Sequence, residues 1–508
     1  MHFKKPIPAS HLFSRLKRTL ILVLPIFLIS CGEQLEPKDP QPNIVFVFAD
    51  DMTYTAIQAL GNSEIQTPNL DRLVHNGTTF THAYNMGAWN GAVCVASRAM
   101  IISGRSVWNA NQFRKNWING AALDQTWGRI MEKNGYETYM TGKWHVDAKA
   151  DSVFKNVVHI RPGMPRDAWG TAGMGQRFKD IKGTNKPISS IMPVGYNRPL
   201  DENDTIWTPT DTKFGGFWEG GKHWSEVLKD DALRFIKDAK EKKNPFFMYL
   251  AFNAPHDPRQ APQEYLDKYP LDNIGLPKSW LPEYPFKDSI GNGPGLRDEA
   301  LAPFPRTAYA IKKHKQEYYA LITHLDDQIG EILDAVKDVD NTYVIFTADH
   351  GLSVGRHGLL GKQSLFDHSV RVPFMIMGPK IPKDKKISAD IYLQDAMATS
   401  LDLAGINKPD YVYFNSVMDL VDGSQEHSNY EAIYGGYTKL QRMIRKDGYK
   451  LIVYPKLNKI LLFNLSEDPE EMQDLAGEDQ HQELKNSLLD ELIQMQKDLN
   501  DPLVLNLN

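Results

Sequence analysis

The chain has 508 residues, 42% hydrophobic and 24% charged, an ordinary globular composition with length for one large domain and a smaller one. A formal net charge of -5 and a sequence pI near 6.3 leave no basic excess, which excludes a non-specific nucleic-acid binder. A local anion pocket stays compatible with that balance, because net charge does not describe one site.

Residues 1–30 read as an export signal. Lys4, Lys5, Arg15, Lys17 and Arg18 form a positive lead-in, and residues 20–29 are an apolar run too short to span a bilayer. The run ends Leu28-Ile29-Ser30-Cys31, which resembles a bacterial lipobox. Cleavage before Cys31 and lipidation of its amino end are expected, giving an exported, membrane-anchored lipoprotein on the periplasmic side or the cell surface. The alternative is an ordinary secretory signal with an incidental Cys31. Residues 31–42 carry Pro37, Pro40 and Pro42 and read as a tether. With Cys31 lipidated, Cys94 has no disulfide partner. It is then either a buried inert thiol or a residue with a task.

Residues 43–49 are a continuous apolar run that reads as a strand buried on both faces, as in parallel sheets. Residues 136–141, 245–252, 342–347 and 374–377 repeat the pattern. Thr67-Pro68 opens a helix, with Pro at its first position. Residues 125–134 form a short amphipathic helix. Tyr318, Ile322, Leu325, Ile329, Ile332 and Val336 recur at helical spacing. Strands alternating with helices predict an α/β domain over 43–428, with a large, mixed, mainly parallel central sheet flanked by helices. Residues 153–221, rich in Gly, Pro, Asn and Trp, read as long surface loops. Over 429–508, short strands at 431–434, 442–444, 449–454 and 460–464 precede an amphipathic helix at 482–499. This predicts a smaller antiparallel sheet with a closing helix.

Chemistry-bearing residues fall just past strand ends. Asp50-Asp51 follows the first strand and Asp349-His350 follows another; open α/β sheets bind ligands at that edge. Adjacent carboxylates there suit a hard cation such as calcium or magnesium, and His350 keeps zinc or manganese open. Taken alone, Asp50-Asp51 also fits a solvated turn. In Gly91-Ala-Val-Cys94-Val-Ala-Ser-Arg98, a helix starting there would put Cys94 at its amino end and Arg98 one turn on. A buried core cysteine is the alternative. Lys143, His145 and His256 also follow strand ends, and Lys362 lies in Gly361-Lys362-Gln363. An anionic substrate needs such cations, and two histidines can move protons.

These motifs resemble the type I, formylglycine-dependent sulfatases of the alkaline-phosphatase-like superfamily. Cys94-Val-Ala96-Ser-Arg98 is similar to the signature Cys-x-Pro/Ala-x-Arg, with Ala96 where Pro is usual. Asp50-Asp51, Thr67-Pro-Asn-Leu-Asp71, Gly142-Lys-Trp-His145, Ala254-Pro-His256, Asp349-His-Gly351, Arg371-Val-Pro373 and Leu462-Phe-Asn-Leu-Ser-Glu-Asp-Pro469 match the family in order across nearly the whole mature chain. The resemblance implies a sulfatase. Asp50, Asp51, Asp349, His350 and modified Cys94 would bind one calcium ion, with His350 standing where the family often has Asn. Cys94, converted to formylglycine by a formylglycine-generating or anaerobic sulfatase-maturing enzyme, would be the nucleophile. Arg98 and Lys143 would hold it, and His145 would act as base in the second step. His256 and Lys362 would bind sulfate, with His256 donating a proton to the leaving alcohol.

Export suggests a sulfated glycan or its oligosaccharides as substrate, with a small aryl or choline sulfate as the alternative. His223, Arg259, His368 and Arg371 are candidate substrate contacts, though Arg371 also suits a structural role. Trp169, Trp207, Trp218 and Trp224 either stack on sugar rings or pack between loops. Three alternatives compete. A two-zinc phosphatase or phosphodiesterase would place Ser or Thr at position 94. A phosphonate monoester hydrolase would share the formylglycine. A non-catalytic glycan-binding lipoprotein would not need both His145 and His256.

Overall fold

A run of apolar residues with no polar interruption is stable as a strand only where both faces are covered. Strand β1 (Asn43–Ala49) meets that condition, since every residue after Asn43 is buried. The computed structural model describes residues 40–161, 168–212, 218–219, 221–257 and 259–505. Cys31 and the export segment lie outside the described residues. Gln41–Asn508 form one compact unit, and among the described residues no helix is long and apolar enough to cross a membrane.

After β1 come α1 (Pro68–Asn76), β2 (Thr78–Tyr84), β3 (Gly87–Ala88), α2 (Val93–Ser103), α3 (Val107–Ile118) and α4 (Trp127–Lys133). Strands β4 (Glu137–Lys143) and β5 (Asn156–Arg161) and the short helices α5 (Ala168–Thr171) and α6 (Met174–Ile181) follow. A two-stranded ribbon, β6 (Trp218–Glu219) and β7 (Lys222–His223), leads into α7 (Trp224–Lys240). Next are β8 (Phe246–Ala251), α8 (Gln263–Leu266), the long α9 (Ala308–Val336), β9 (Thr342–Ala348), α10 (Asp367–Val370) and β10 (Arg371–Met377). Strands β11 (Lys385–Ile387) and β12 (Ile391–Tyr392) and helices α11 (Asp395–Leu403) and α12 (Met418–Asp422) complete the larger part. The chain ends with β13 (Ile433–Tyr437), β14 (Gln441–Lys446), β15 (Tyr449–Tyr454), β16 (Lys459–Asn464) and α13 (Gln482–Asp498).

The large sheet runs β11-β2-β10-β9-β1-β8-β4-β5, with β12 also on β2. From β9 to β5 every pair is parallel, and β10 is antiparallel to both neighbours. Helices cover both faces. Trp127 of α4 packs on Phe46, Phe247 and Tyr249, whereas Phe235 of α7 packs on Tyr139, which points the other way from Tyr249. In α9 all six of the periodic apolar residues are buried. Asp326 of α9 also accepts the Asn69 and Leu70 amides at the start of α1, at 3.0 and 2.7 Å, satisfying donors that the first helical turn leaves open. The small sheet, β16-β15-β14-β13-β3, is antiparallel apart from the β13–β3 pair. Through β3 it meets the segment that leads to α2.

Three local expectations are corrected. Residues 153–221 are not loops throughout: β5 pairs with β4 at the sheet edge. Its residues are only half-buried or exposed, which mutes the strand signal. The helix expected over 125–134 begins at Trp127, because Thr126 is extended (φ -94°, ψ 150°). Strand β2, rich in Thr, gave no apolar run, yet it is central to one half of the sheet.

Candidate active site

The strand register assembles the acidic half of the site. Ala49 of β1 pairs with Ala348 of β9, so Asp50 and Asp349 leave the sheet side by side. Asp51 then turns back at φ 68°, a left-handed conformation that few non-glycine residues adopt. Tyr318 of α9 holds that turn: its hydroxyl donates to Asp51 O at 2.7 Å and accepts from the Thr53 amide at 3.1 Å. Asn85, just past β2, donates to Asp349 O at 2.6 Å.

The basic half comes from β4 and α2. At Gly142 (φ 92°) an added Cβ would lie 2.0 Å from Ala251 O. Only glycine lets β4 run this close to β8 and deliver Lys143 to the cluster. The Lys143 ammonium bonds to Asp50 Oδ2. Cys94 stands in the first turn of α2, and Arg98 lies one turn on. The Arg98 guanidinium donates to Asp349 Oδ2 at 3.1 Å and to Lys143 O at 2.7 Å, and it lies over the Phe48 ring. Lys362 reaches in from the loop after β9, with Nζ 2.9 and 3.0 Å from the Asp51 oxygens, 3.0 Å from His256 Nε2 and 3.4 Å from Cys94 Sγ. His350 Nε2 is 3.2 Å from Cys94 Sγ and 3.1 Å from Asp51 Oδ1. His145 (φ 52°) flanks Cys94 from the end of β4, and its Nδ1 is buried without a hydrogen-bond partner among the described residues.

Charge in this dry cluster governs the thiol. Burial alone would raise the Cys94 pKa, but the charges of Lys143, Lys362 and His350 outweigh it and hold the thiol well below a free cysteine. Burial and the Asp50 charge push Asp349 up to about 8. Burial keeps His145 below the usual imidazole value, which leaves it a neutral base.

Asp50, Asp51, Cys94, Asp349 and His350 present ligand atoms all within 4.8 Å of one another. Asp50 Oδ1 is buried with no hydrogen-bond partner among the described residues. The three carboxylates fit a hard divalent cation, whereas the imidazole and the sulfur suit a softer one such as zinc. A second grouping, Asp51 with His256 and Asp257, is an ion-pair network instead: Arg297 takes both oxygens of Asp257, and Lys362 lies between Asp51 and His256.

The structure therefore brings together all ten residues expected at the metal and reaction centre. The four expected substrate contacts are engaged elsewhere. His223 is wholly buried, caps α7 by accepting from the Ser225 amide, and pairs with Gln260 O. Arg259 is buried and donates to His314 Nδ1 at 2.9 Å. His368 is buried against Ser369 and Phe366. The Arg371 side chain donates to Thr81 O and lies over the Tyr54 ring. Trp169 packs on Tyr196, Trp207 under Arg198 and Trp224 under Arg161, while the Trp218 side chain lies outside the described residues. Sequence reasoning gave no role to Asn85, Tyr318, Asp257, Arg297, Asp298 or Glu299. Asp257 adjoins His256, which was its one available signal.

A sulfatase family model matches residues 42–406, and one described as N-sulphoglucosamine sulphohydrolase, C-terminal, matches 355–498. A Formosa agariphila protein named sulfatase is 29% identical over 486 residues, covering 90% of this chain and 88% of its own. A solved structure described as a complex with its substrate D-glucosamine-2-N,6-O-disulfate superposes with TM-score 0.69 at 21% identity, covering 91% of this chain and 99% of that one. A phosphonate monoester hydrolase from Silicibacter pomeroyi superposes with TM-score 0.67 at 18% identity, covering 90% and 96%. At these identities the two structures speak to the fold alone.

Proposed function

The chain belongs to the sulfatase family and is a sulfuric ester hydrolase, and on that premise we propose that it works through a formylglycine made from Cys94, with one calcium ion, on a sulfated glycan or its oligosaccharides. One observation carries this reading. The Cys94 sulfur, at the start of α2, lies 3.2 Å from His350 Nε2 and 3.4 Å from Lys362 Nζ, beside a cluster of buried carboxylates.

Asp50, Asp51, Asp349, His350 and position 94 would hold the ion, and their oxygen-rich donor set favours calcium. Bound there, the ion would neutralise sulfate oxygens and act as a Lewis acid. A formylglycine at position 94 would supply a hydrated aldehyde, one hydroxyl attacking sulfur and the other, once deprotonated, driving out sulfate. Arg98 and Lys143 orient this position from below. His145, kept neutral by burial, accepts the second proton. Lys362 and His256 hold the sulfate from the opposite side, and His256 gives its proton to the departing alcohol.

The substrate class is supported by the match of residues 355–498 to the model described as N-sulphoglucosamine sulphohydrolase, C-terminal. The amino-terminal Leu-Ile-Ser-Cys31 run supports export as a lipoprotein, and the Cys94 signature supports a maturing enzyme as a partner. Residues 43–428 would be the catalytic domain and 429–508 a supporting one.

The test is sulfate release from a panel of sulfated saccharides by protein co-produced with a maturing enzyme. Cys94→Ala serves as control, and peptide mass reports formylglycine. Release by the parent alone is expected. A matured parent that releases no sulfate from any ester would overturn the reading and turn attention to phosphonate monoesters.

A further inference from the structure

The two groups that face the leaving alcohol are each backed by a carboxylate. His256 Nδ1 is hydrogen-bonded to Asp257 O at 2.7 Å and lies 3.2 Å from Asp257 Oδ1, and Lys362 Nζ lies 3.8 Å from Asp298 Oδ2. A single arginine joins those carboxylates. Arg297 donates to Asp257 Oδ1 at 3.2 Å, to Asp257 Oδ2, and to Asp298 Oδ1 at 2.6 Å. The next residue, Glu299, is wholly buried and accepts the amides of Leu360 and Gly361 at 3.0 and 2.9 Å. Those are the two residues before Lys362. Arg306 closes the far side of Glu299. Gly361 is pressed against this unit: a Cβ there would lie 2.6 Å from Gln363 Oε1 and 2.9 Å from the Asp298 side chain. Gln363 in turn donates to Asp298 and to Gly91 O, in the loop that leads to Cys94.

We propose that Arg297, Asp298 and Glu299 form one charged clamp that aims His256 and Lys362 at the leaving group, which makes Arg297 a positioning residue of the reaction. This rests on the roles given above to His256 and Lys362. Buried ion pairs are poor stabilisers of a fold because desolvation offsets their attraction. Their fork-like geometry, however, fixes direction well. Direction is what proton donation needs. As the S–O bond breaks, its electron pair stays on the alcohol oxygen, and the proton on His256 Nε2 passes to that oxygen. A donor misplaced by about 1 Å forfeits roughly 10²-fold in rate.

The clamp predicts a split that a scaffold role would not produce. An alcohol leaving group needs the proton, and a para-nitrophenol leaving group does not. In the full-length matured protein, Asp257→Asn should lower kcat on a sugar sulfate roughly 10- to 100-fold, with a several-fold smaller loss on para-nitrophenyl sulfate. Asp298→Asn should raise KM for both esters alike, and Arg297→Gln should show both effects together. If the parent takes no aryl ester, the heavy-oxygen isotope effect at the leaving oxygen of the sugar sulfate gives the same readout. It grows in Asp257→Asn and Arg297→Gln when proton donation is impaired. Equal kcat losses on both esters, an unchanged isotope effect, or parent-like kinetics in Arg297→Gln overturn the clamp. If Arg297→Gln does not fold, the two Asp→Asn variants, which conserve shape, decide it. A parent inactive on every ester overturns the underlying reading and the clamp with it; an active parent without the split overturns the clamp alone.

Discussion

Replacing Lys362 by Met keeps the length of the side chain and removes its charge. In the structure that ammonium touches both oxygens of Asp51, His256 and Cys94, and its side chain is only 3% exposed. Losing one preorganised donor of this kind costs about 2.7–4 kcal/mol of transition-state stabilisation, or roughly 10²–10³ in kcat. In its proposed role Lys362 also binds sulfate in the ground state, so KM should rise as well. Lys143→Met makes the useful contrast. Lys143 bonds to Asp50 and lies behind position 94, so its loss should fall on kcat with little change in KM. Stability provides a second axis. Removing Lys362 leaves Asp51 buried without one of its cations, and breaking a buried pair costs about 3–5 kcal/mol. The proposed calcium ion at Asp51 would offset part of that loss, so urea unfolding of Lys362→Met should be more impaired in chelator than in calcium. Steady-state sulfate release and paired urea titrations measure both effects. Catalysis within about fivefold of the parent, with KM unchanged, would refute the assignment of Lys362 to the sulfate.

Prolonged chelation, with metal removal checked by elemental analysis, should abolish sulfate release and lower the melting temperature. Calcium at 100 times its Kd should return about 2.7 kcal/mol of stability, and full activity in verified metal-free protein would contradict the five-residue site. Three buried histidines should make one part of the stability sensitive to acid. Burial pushes His357 down to about 4 and holds His314 and His368 well below the usual imidazole value. The unfolded chain therefore binds protons that the folded chain refuses. Their contribution is complete above about pH 6.5 and is lost as pH falls through the folded values, by about 1.4 kcal/mol per pH unit for each such histidine. Urea midpoints from pH 7 to 5 should fall less in His357→Gln than in the parent, by about one proton's share; parallel profiles would contradict it. Gly142→Ala adds a Cβ 2.0 Å from Ala251 O at φ 92°, so at least about 2 kcal/mol of stability and most activity should be lost. A well-folded, fully active variant would show that β4 and β8 can separate there without moving Lys143.

What the sequence made legible follows from where the chain puts its signals. Residues 43–49 and 342–347 announce buried parallel strands because nothing polar interrupts them, and Asp50-Asp51 and Asp349-His350 stand out as the first polar residues after each run. Register then does the rest: pairing Ala49 with Ala348 obliges the two acidic ends to meet. Strand β2 stayed hidden because Thr78, Thr79 and Thr81 look like solvent-facing residues, although Thr78 and Thr79 are buried. The partners of the four proposed subsite residues were hidden for a related reason. A basic or imidazole side chain near a strand end looks like a ligand group whether it faces a substrate or, as His223 does, the first turn of a helix. Arg297, Asp298 and Glu299 were illegible for a deeper cause. They lie in a segment with no period, 40 residues from Asp257 and about 60 from the Leu360–Gly361 amides, and nothing local says that, of three successive charges, two will be buried and the third half-buried. Groups that meet substrate are placed by strand ends, which a sequence displays. Groups that aim them are placed by long-range contacts, which only the folded chain displays. A search for such positioning residues in this protein therefore belongs among its buried ion pairs, starting from those that touch a reacting side chain at one end and another charge at the other.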